Sequence, residues 1–210
     1  MIKFNYIVKD LSKSFIRKHF IFRNLNLNFT NGSIIALTGS NGSGKSTLVK
    51  VMTGVLSHTS GSIDLKVDDK KVSFNDVKDE IALVAPYLNL YEEFTPIEHY
   101  KVSADLRAVN PDYDKLNRQL TDFKLIRHKN TPIRNFSSGM KQRMKFILAL
   151  QTNPTILFLD EPTTNLDLDG IEIINKIIVN HAAGGGAVVI ATNEEREKSL
   201  CSHCYEVSNQ

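Results

Sequence analysis

Four stretches of this 210-residue chain, at 33–37, 80–84, 155–159 and 187–191, are apolar almost without interruption. A strand with one face in water alternates apolar and polar residues, whereas a strand covered on both faces has no such need. Each run is followed by polar residues and then by a helical stretch. Buried strands alternating with helices describe an α/β domain with a mainly parallel sheet. The start of the chain differs. Ile2, Phe4, Tyr6 and Val8 alternate with Lys3, Asn5, Ile7 and Lys9, and Leu25, Leu27 and Phe29 alternate with Asn24, Asn26 and Asn28 before an Asn31-Gly32 turn. Both patterns predict half-buried strands.

Between about 87 and 152 the chain becomes helical and more polar. Thr95-Pro96-Ile97-Glu98 combines an N-cap Thr, Pro at the first helical position and Glu three residues after the cap, which predicts a helix start. A second helix is expected after Pro111 and a third from about Ser137 to Thr152. No internal repeat or low-complexity linker sets this stretch apart, so it is expected to be an insertion into one domain spanning 1–210. Composition narrows the class. A formal net charge of +3 argues against a dedicated nucleic-acid binder. No apolar run is long enough to span a membrane, and with charges at Lys3, Lys9, Asp10, Lys13, Arg17 and Lys18 no secretory signal is expected. Two cysteines cannot build a disulfide framework, so a cytosolic chain is expected.

Gly39-Ser40-Asn41-Gly42-Ser43-Gly44-Lys45-Ser46-Thr47 satisfies G-x-x-x-x-G-K-[ST] between a predicted buried strand and a helix. Glycines let the backbone curl so that successive N–H groups point at phosphate oxygens, and the positive end of the following helix reinforces that site. Lys45 supplies a charge for β- and γ-phosphates and Ser46 a hydroxyl for Mg²⁺. The second signal is Ile156-Leu157-Phe158-Leu159-Asp160-Glu161-Pro162. It places Asp160 at the carboxyl end of a buried strand, where α/β sheets bind ligands. Asp160 is expected to hold Mg²⁺, mostly through water, and Glu161 to act as general base on the attacking water.

Phe136-Ser137-Ser138-Gly139-Met140-Lys141-Gln142-Arg143 resembles the signature loop of ABC ATPases, L-S-G-G-Q, and stands 92 residues after Lys45 and 23 before Asp160. Thr163-Thr164-Asn165-Leu166-Asp167 looks like the D-loop of that family, and Ser60-Gly61-Ser62-Ile63 fits its pattern after the first helix. The resemblance covers nearly the whole chain. It implies a P-loop NTPase fold with a mainly parallel core sheet, an N-terminal antiparallel β region and a helical subdomain inserted at about 87–152. It also implies two domains facing head to tail, as homodimer or heterodimer, with ATP between the phosphate loop of one and the signature of the other. Ser137, Ser138 and Gly139 would then meet the γ-phosphate and Asp167 would line the seam. An aromatic near the first strand stacks on adenine in this family; Phe15 fits, with Phe20 a second candidate and core packing the alternative for either.

Two departures bear on turnover. The family places a Gln after the strand at 81–84, and aligning Leu90-Tyr91-Glu92-Glu93-Phe94-Thr95 puts Pro86 there, without a side-chain oxygen or an N–H. Asn89 is three residues further on. Where the family has a switch His after the strand at 187–191, Thr192 is followed by Asn193, which has no titratable proton. Ser202-His203 is rejected as that switch because no buried strand leads into it. Slow or rearranged hydrolysis is therefore expected. The resemblance, closest to exporter-type members, implies the ATP-binding subunit of a transporter, cytoplasmic and held on the inner membrane face by a separate permease. Leu88, Leu90, Tyr91 and Phe94 would form part of its docking groove. The alternative is a soluble ATP-gated dimerisation module with little turnover. Three remaining signals carry less: Cys201 and Cys204 are read as incidental rather than metal or redox ligands, Gly184-Gly185-Gly186 as a turn, and Lys141, Arg143 and Lys145 as a solvated helix face.

Overall fold

The chain opens with two long antiparallel strands, β1 (Phe4–Ile16) and β2 (His19–Thr30), in a computed structural model that describes residues 3–16, 19–73 and 76–208. Ile2, the first of the alternating apolar residues, lies outside that set. There follow β3 (Ile34–Thr38), α1 (Lys45–Met52), β4 (Ser60–Val67), β5 (Lys70–Val72) and β6 (Ile81–Val84). Three helices come next, α2 (Pro96–Leu106), α3 (Tyr113–Asp122) and α4 (Ser138–Ala149). The chain closes through β7 (Ile156–Asp160), α5 (Leu168–Ala183), β8 (Ala187–Ala191), α6 (Glu195–Lys198) and β9 (His203–Glu206).

The strands form two sheets. One is antiparallel, in the order β2-β1-β4-β5, and the other is parallel, in the order β6-β7-β8-β3-β9. The four uninterrupted apolar runs are β3, β6, β7 and β8, and all five residues of β7 and of β8 are buried. Alternate residues of those strands belong to different cores. Ile156 and Phe158 of β7, with Val189 and Ala191 of β8, pack with α1 and the antiparallel sheet. Leu157 and Leu159, with Val188 and Ile190, pack with the helices after β6 and with α5. Both pleat faces need apolar residues, hence the runs. Across the first core the rings of Tyr6 and Phe29 stack at 4.7 Å, and Phe158 meets both edge-on at 6.0 and 6.4 Å. These contacts join the two sheets.

The helix starts follow their sequence signals. Thr95 caps α2 with a complete capping box, its side chain accepting from the Glu98 N–H while Glu98 accepts from the Thr95 N–H at 2.8 Å. Asp112 caps α3 and Ser137 caps α4. Among the described residues no helix is long and apolar enough to cross a membrane.

The sheets are larger than the sequence pattern suggests. Ala187–Ala191 is not the last strand, because β9 adds an edge to the parallel sheet beside β3. His203, Cys204 and Glu206 of β9 are exposed, so an edge strand of this kind carries no apolar run. Strands β4 and β5 likewise lack a continuous pattern, and β1 continues to Ile16 through register shifts near Asp10, whose φ is +47°.

Phe158 joins the two sheets at full burial. Truncation by Phe158→Ala is expected to cost about 3–5 kcal/mol, read as a lowered urea midpoint with an unchanged slope.

Candidate functional site

The turn from β3 into α1 is made by residues 39–44 and depends on glycine at two places. Gly39 has φ +140° and a Cβ there would collide with the Val207 carbonyl; Gly44 has φ +101° and a Cβ there would collide with Ile21. Both conformation and space therefore exclude a side chain. Lys45, 7% exposed, curls back so that its ammonium donates to the carbonyls of Gly39 at 2.7 Å and Ser40 at 3.1 Å. Asn41, Gly42, Lys45, Ser46, Thr47 and Glu161 line one cavity of about 280 Å³ over the start of α1. Backbone donors at a helix N-terminus beside a buried cation make that cavity fit for phosphate.

Asp160 ends β7 at 2% exposure. The Ser46 side chain lies near enough to act on its carboxyl, and Oδ1 is buried with no hydrogen-bond partner. Burial raises the Asp160 carboxyl above its ordinary value; Ser46 opposes the rise, Glu161 adds to it, and Lys50 and Lys45 pull it down. A buried unpaired carboxylate oxygen beside a hydroxyl is a pair of hard oxygen donors, and it fits Mg²⁺. Glu161 is exposed and lines the phosphate-sized cavity, with φ +47° and its N–H bonded to the Ala191 carbonyl at 2.9 Å. That backbone region is unfavourable for a non-glycine residue, and here it accompanies a carboxylate facing the cavity. Asn193 reaches the same place: its Nδ2 donates to Asn41 Oδ1 at 2.8 Å.

The signature segment lies elsewhere. The Ser137 hydroxyl accepts from the Met140 N–H at 3.2 Å, and Ser138 opens α4. Gly139 is buried so tightly that a Cβ would stand 3.2 Å from the Asn165 carbonyl. Gln142 donates to the Pro162 carbonyl at 3.0 Å. Asp167 is the N-cap of α5, accepting from the Gly170 N–H at 2.9 Å, a role its motif did not announce. Ser138, Pro86, Asn89 and Asn165 line a second cavity of about 430 Å³ that shares no residue with the cavity around Lys45. Asn89 lines the same cavity as Pro86 and not the one around Lys45.

The basic face of α4 is not simply solvated. Lys141 pairs with Glu92 at 2.5 Å, Arg143 with Asp167 at 3.5 Å, and the Lys145 ammonium donates to the Ala85 and Pro86 carbonyls, both at 3.1 Å. Burial lowers the Lys145 pKa. Periodicity places residues on a face but does not show what loops fold over it.

Phe15 is 62% exposed, with the Lys13 ammonium 4.7 Å from its ring centroid, and Phe20 is half-buried with the Arg23 guanidinium 5.0 Å from its own. Phe15 is thus free of the core. Leu88 and Tyr91 are exposed, while Leu90 packs on the helical core and Phe94 lies against Tyr91 and His99. His203 pairs with Ile35, near the start of β3 and away from the loop that follows Thr38, which agrees with its rejection as a switch. Cys201 and Cys204 are free thiols, and burial pushes Cys201 up to about 12. Gly184, Gly185 and Gly186 make the turn from α5 into β8. Tyr87 escaped the sequence reading. The Lys50 ammonium stands 3.9 Å from its ring centroid, and burial, with a smaller contribution from the Asp160 carboxylate, pushes the phenol up to about 12. No local motif marks Tyr87, because its neighbours Lys50 and Asp160 are distant in sequence.

Residues 22–164 match the family described as ABC transporter. The chain is 33% identical over 186 residues to the lantibiotic transport ATP-binding protein SrtF of Streptococcus pyogenes, covering 89% of this chain and 79% of that protein. It is 30% identical over 177 residues to the cytochrome c biogenesis ATP-binding export protein CcmA of Reclinomonas americana, covering 83% and 79%. A solved structure described as the ATP-binding subunit of an ABC transporter superposes with TM-score 0.83 at 25% identity, covering 97% of this chain and 86% of that one.

Because burial raises the Asp160 pKa, the folded chain holds more proton there than the unfolded chain between the ordinary and the raised value. Stability without metal therefore falls as pH rises through that window. Asp160→Asn removes the buried charge. It is expected to raise the melting temperature of the nucleotide-free protein at neutral pH by about 2–4 °C, equivalent to about 1 kcal/mol, while abolishing the further rise produced by MgATP in a thermal-shift assay.

Proposed function

The chain belongs to the ABC transporter family, and on that premise we propose that it is the ATP-binding subunit of a transporter, hydrolysing MgATP to drive a separate membrane permease. The observation that carries this reading is the separation of two cavities. Lys45, Ser46 and Glu161 sit around one, and Ser138 with its helix N-terminus borders another. Ser137, Ser138 and Gly139 can meet a phosphate held at Lys45 when a second ATPase domain faces this one head to tail, as homodimer or heterodimer. The whole of 1–210 is then one ATPase domain, with a helical subdomain inserted at about 87–152. The names of its relatives, lantibiotic transport and an export protein, favour an exporter-type system over a soluble regulatory module. The place of action is the cytoplasmic face of the membrane, through the permease. Exposed Leu88 and Tyr91 are the apolar part of the docking surface.

The residues divide the work by charge and donor type. Backbone N–H groups of 39–47 and the Lys45 ammonium hold the β- and γ-phosphates, and Phe15 stacks on adenine. Ser46 and Asp160 hold Mg²⁺, which when bound neutralises charge on the phosphates. Glu161, outside the buried pocket of Asp160, orients the attacking water and accepts its proton. Asn193, tied to Asn41, donates a hydrogen bond to the γ-phosphate without transferring a proton. Pro86 leaves the water shell one protein oxygen short, and turnover is slow as a consequence.

Glu161→Gln is expected to keep ATP binding, lower hydrolysis by roughly 10²–10⁴-fold and accumulate a dimer with ATP in light scattering. A monomer under those conditions removes the head-to-tail reading. Asn193→His is expected to raise turnover; unchanged and already fast turnover would show that Asn193 imposes no limit. Co-purification from solubilised membranes with a multi-spanning protein, whose presence stimulates the ATPase, tests the transporter role itself.

A further inference from the structure

We propose that Glu197 is a positioning residue for hydrolysis: its buried carboxylate pins Thr163, and through Thr163 it fixes the turn that presents Glu161 to the phosphate-sized cavity. The proposal rests on the functional reading above, in which Glu161 orients the attacking water.

The chain from Glu161 towards Asp167 is two turns in series. The Thr164 N–H donates to the Glu161 carbonyl at 3.2 Å, and the Leu166 N–H donates to the Thr163 carbonyl at 3.1 Å. The two turns overlap at 163–164, so one anchor there holds both. Glu197 supplies it. Its Oε1 accepts from the Thr163 N–H at 3.2 Å and from the Thr163 hydroxyl at 2.5 Å, the second being the short distance of a hydroxyl on a carboxylate.

Glu197 is itself fixed to the end of β8. The Thr192 N–H bonds the Leu37 carbonyl of β3 at 3.0 Å, and the Thr192 hydroxyl accepts from the Glu194 N–H at 2.9 Å. The Glu197 N–H then donates to the Glu194 carbonyl at 3.1 Å. Asn193, which reaches Asn41, lies within this same braced stretch. One side chain thus ties the segment of Asn193 to the turn of Glu161.

The form of the anchor points to positioning rather than to packing. Glu197 is 1% exposed, its Oε2 has no hydrogen-bond partner, and it makes no ion pair among the described residues. Burying a carboxylate without a cation is costly, and an apolar side chain of similar volume avoids that cost. Such a side chain could cover Thr163 but accept neither of its donors. What the carboxylate adds is an acceptor at a fixed place. Two residues upstream, Glu161 holds φ +47°, a conformation that persists only where the surroundings enforce it.

The test is the steady-state ATPase of the full chain, read as kcat and KM for MgATP beside the melting temperature. Glu197→Met fills the space without an acceptor and is expected to lower kcat by roughly 10–100-fold at unchanged KM. Glu197→Gln keeps an oxygen for Thr163 and is expected to recover most of that loss. Thr163→Val removes the hydroxyl from the other side and is expected to lower kcat as well; combined with Glu197→Met it adds no further loss. Equal losses in Glu197→Met and Glu197→Gln, a change in KM alone, or losses that multiply in the double variant overturn the proposal. An unchanged kcat in Thr163→Val overturns it even where Glu197→Met does not fold. Glu161→Gln is the control for the functional reading. If it hydrolyses ATP as fast as the unsubstituted protein, the assignment of Glu161 fails first, and the role of Glu197 falls with it.

Discussion

Strand β7 is covered on both faces, and the rest of the molecule is arranged around that fact. Its five residues are buried, alternating between a core shared with α1 and the antiparallel sheet and a core shared with the helices. A strand held from both sides has little freedom to slide or rotate, because a one-residue slip would exchange the side chains of its two faces. Its carboxyl end is correspondingly fixed, and that end is Asp160. Parallel pairing then brings the exits of β6, β8 and β3 to the same edge. Those exits are the segment with Pro86 and Tyr87, the pair Thr192-Asn193, and the loop running from Gly39 to Lys45. The gathering of candidate catalytic groups from four distant parts of the chain is thus a consequence of strand burial and parallel order.

Helix α4 is bound to this edge by its own side chains. Lys145 donates to the carbonyls at the exit of β6, Gln142 to the Pro162 carbonyl, and Arg143 approaches the cap of α5 at Asp167. Gly139 fits closely against Asn165. A shift of α4 must therefore strain or carry the segments at 85–86 and 162–167. In the transporter reading, that coupling gives a mechanical path between the signature helix, the carboxylates and the permease-facing segment. Surface ion pairs such as Lys141–Glu92 add little stability singly; the buried amide and the ammonium-to-carbonyl bonds are the stiffer part of the link.

Much of the fold was legible in the sequence where the pattern reports burial directly. The apolar runs of β3, β6, β7 and β8 and the caps at Thr95 and Ser137 record local requirements that neighbouring residues satisfy. Strand β9 was not legible, since an edge strand paired on one side with exposed His203 and Cys204 has no pattern to show. At the candidate site, the glycines at 39, 42 and 44, Lys45, Ser46 and the pair Asp160-Glu161 could be named because contiguous motifs prescribe them. Lys141 and Lys145 of α4 were misread because the loops that accept their hydrogen bonds arrive from 49–60 residues away in sequence.

The sequence by itself determined an α/β chain with a phosphate-binding turn, a strand ending in two carboxylates and a Ser-capped helix resembling the ABC signature. Each of these is a local matter of periodicity, backbone conformation or capping. Tertiary structure alone decided which of them meet. It put Asn193 on Asn41 and Tyr87 over Lys50, and it kept Ser138 out of the cavity of Lys45. Such relations depend on sheet order and on which loops cross which strand ends, and residues far apart in sequence carry no local signal of their eventual distance in space.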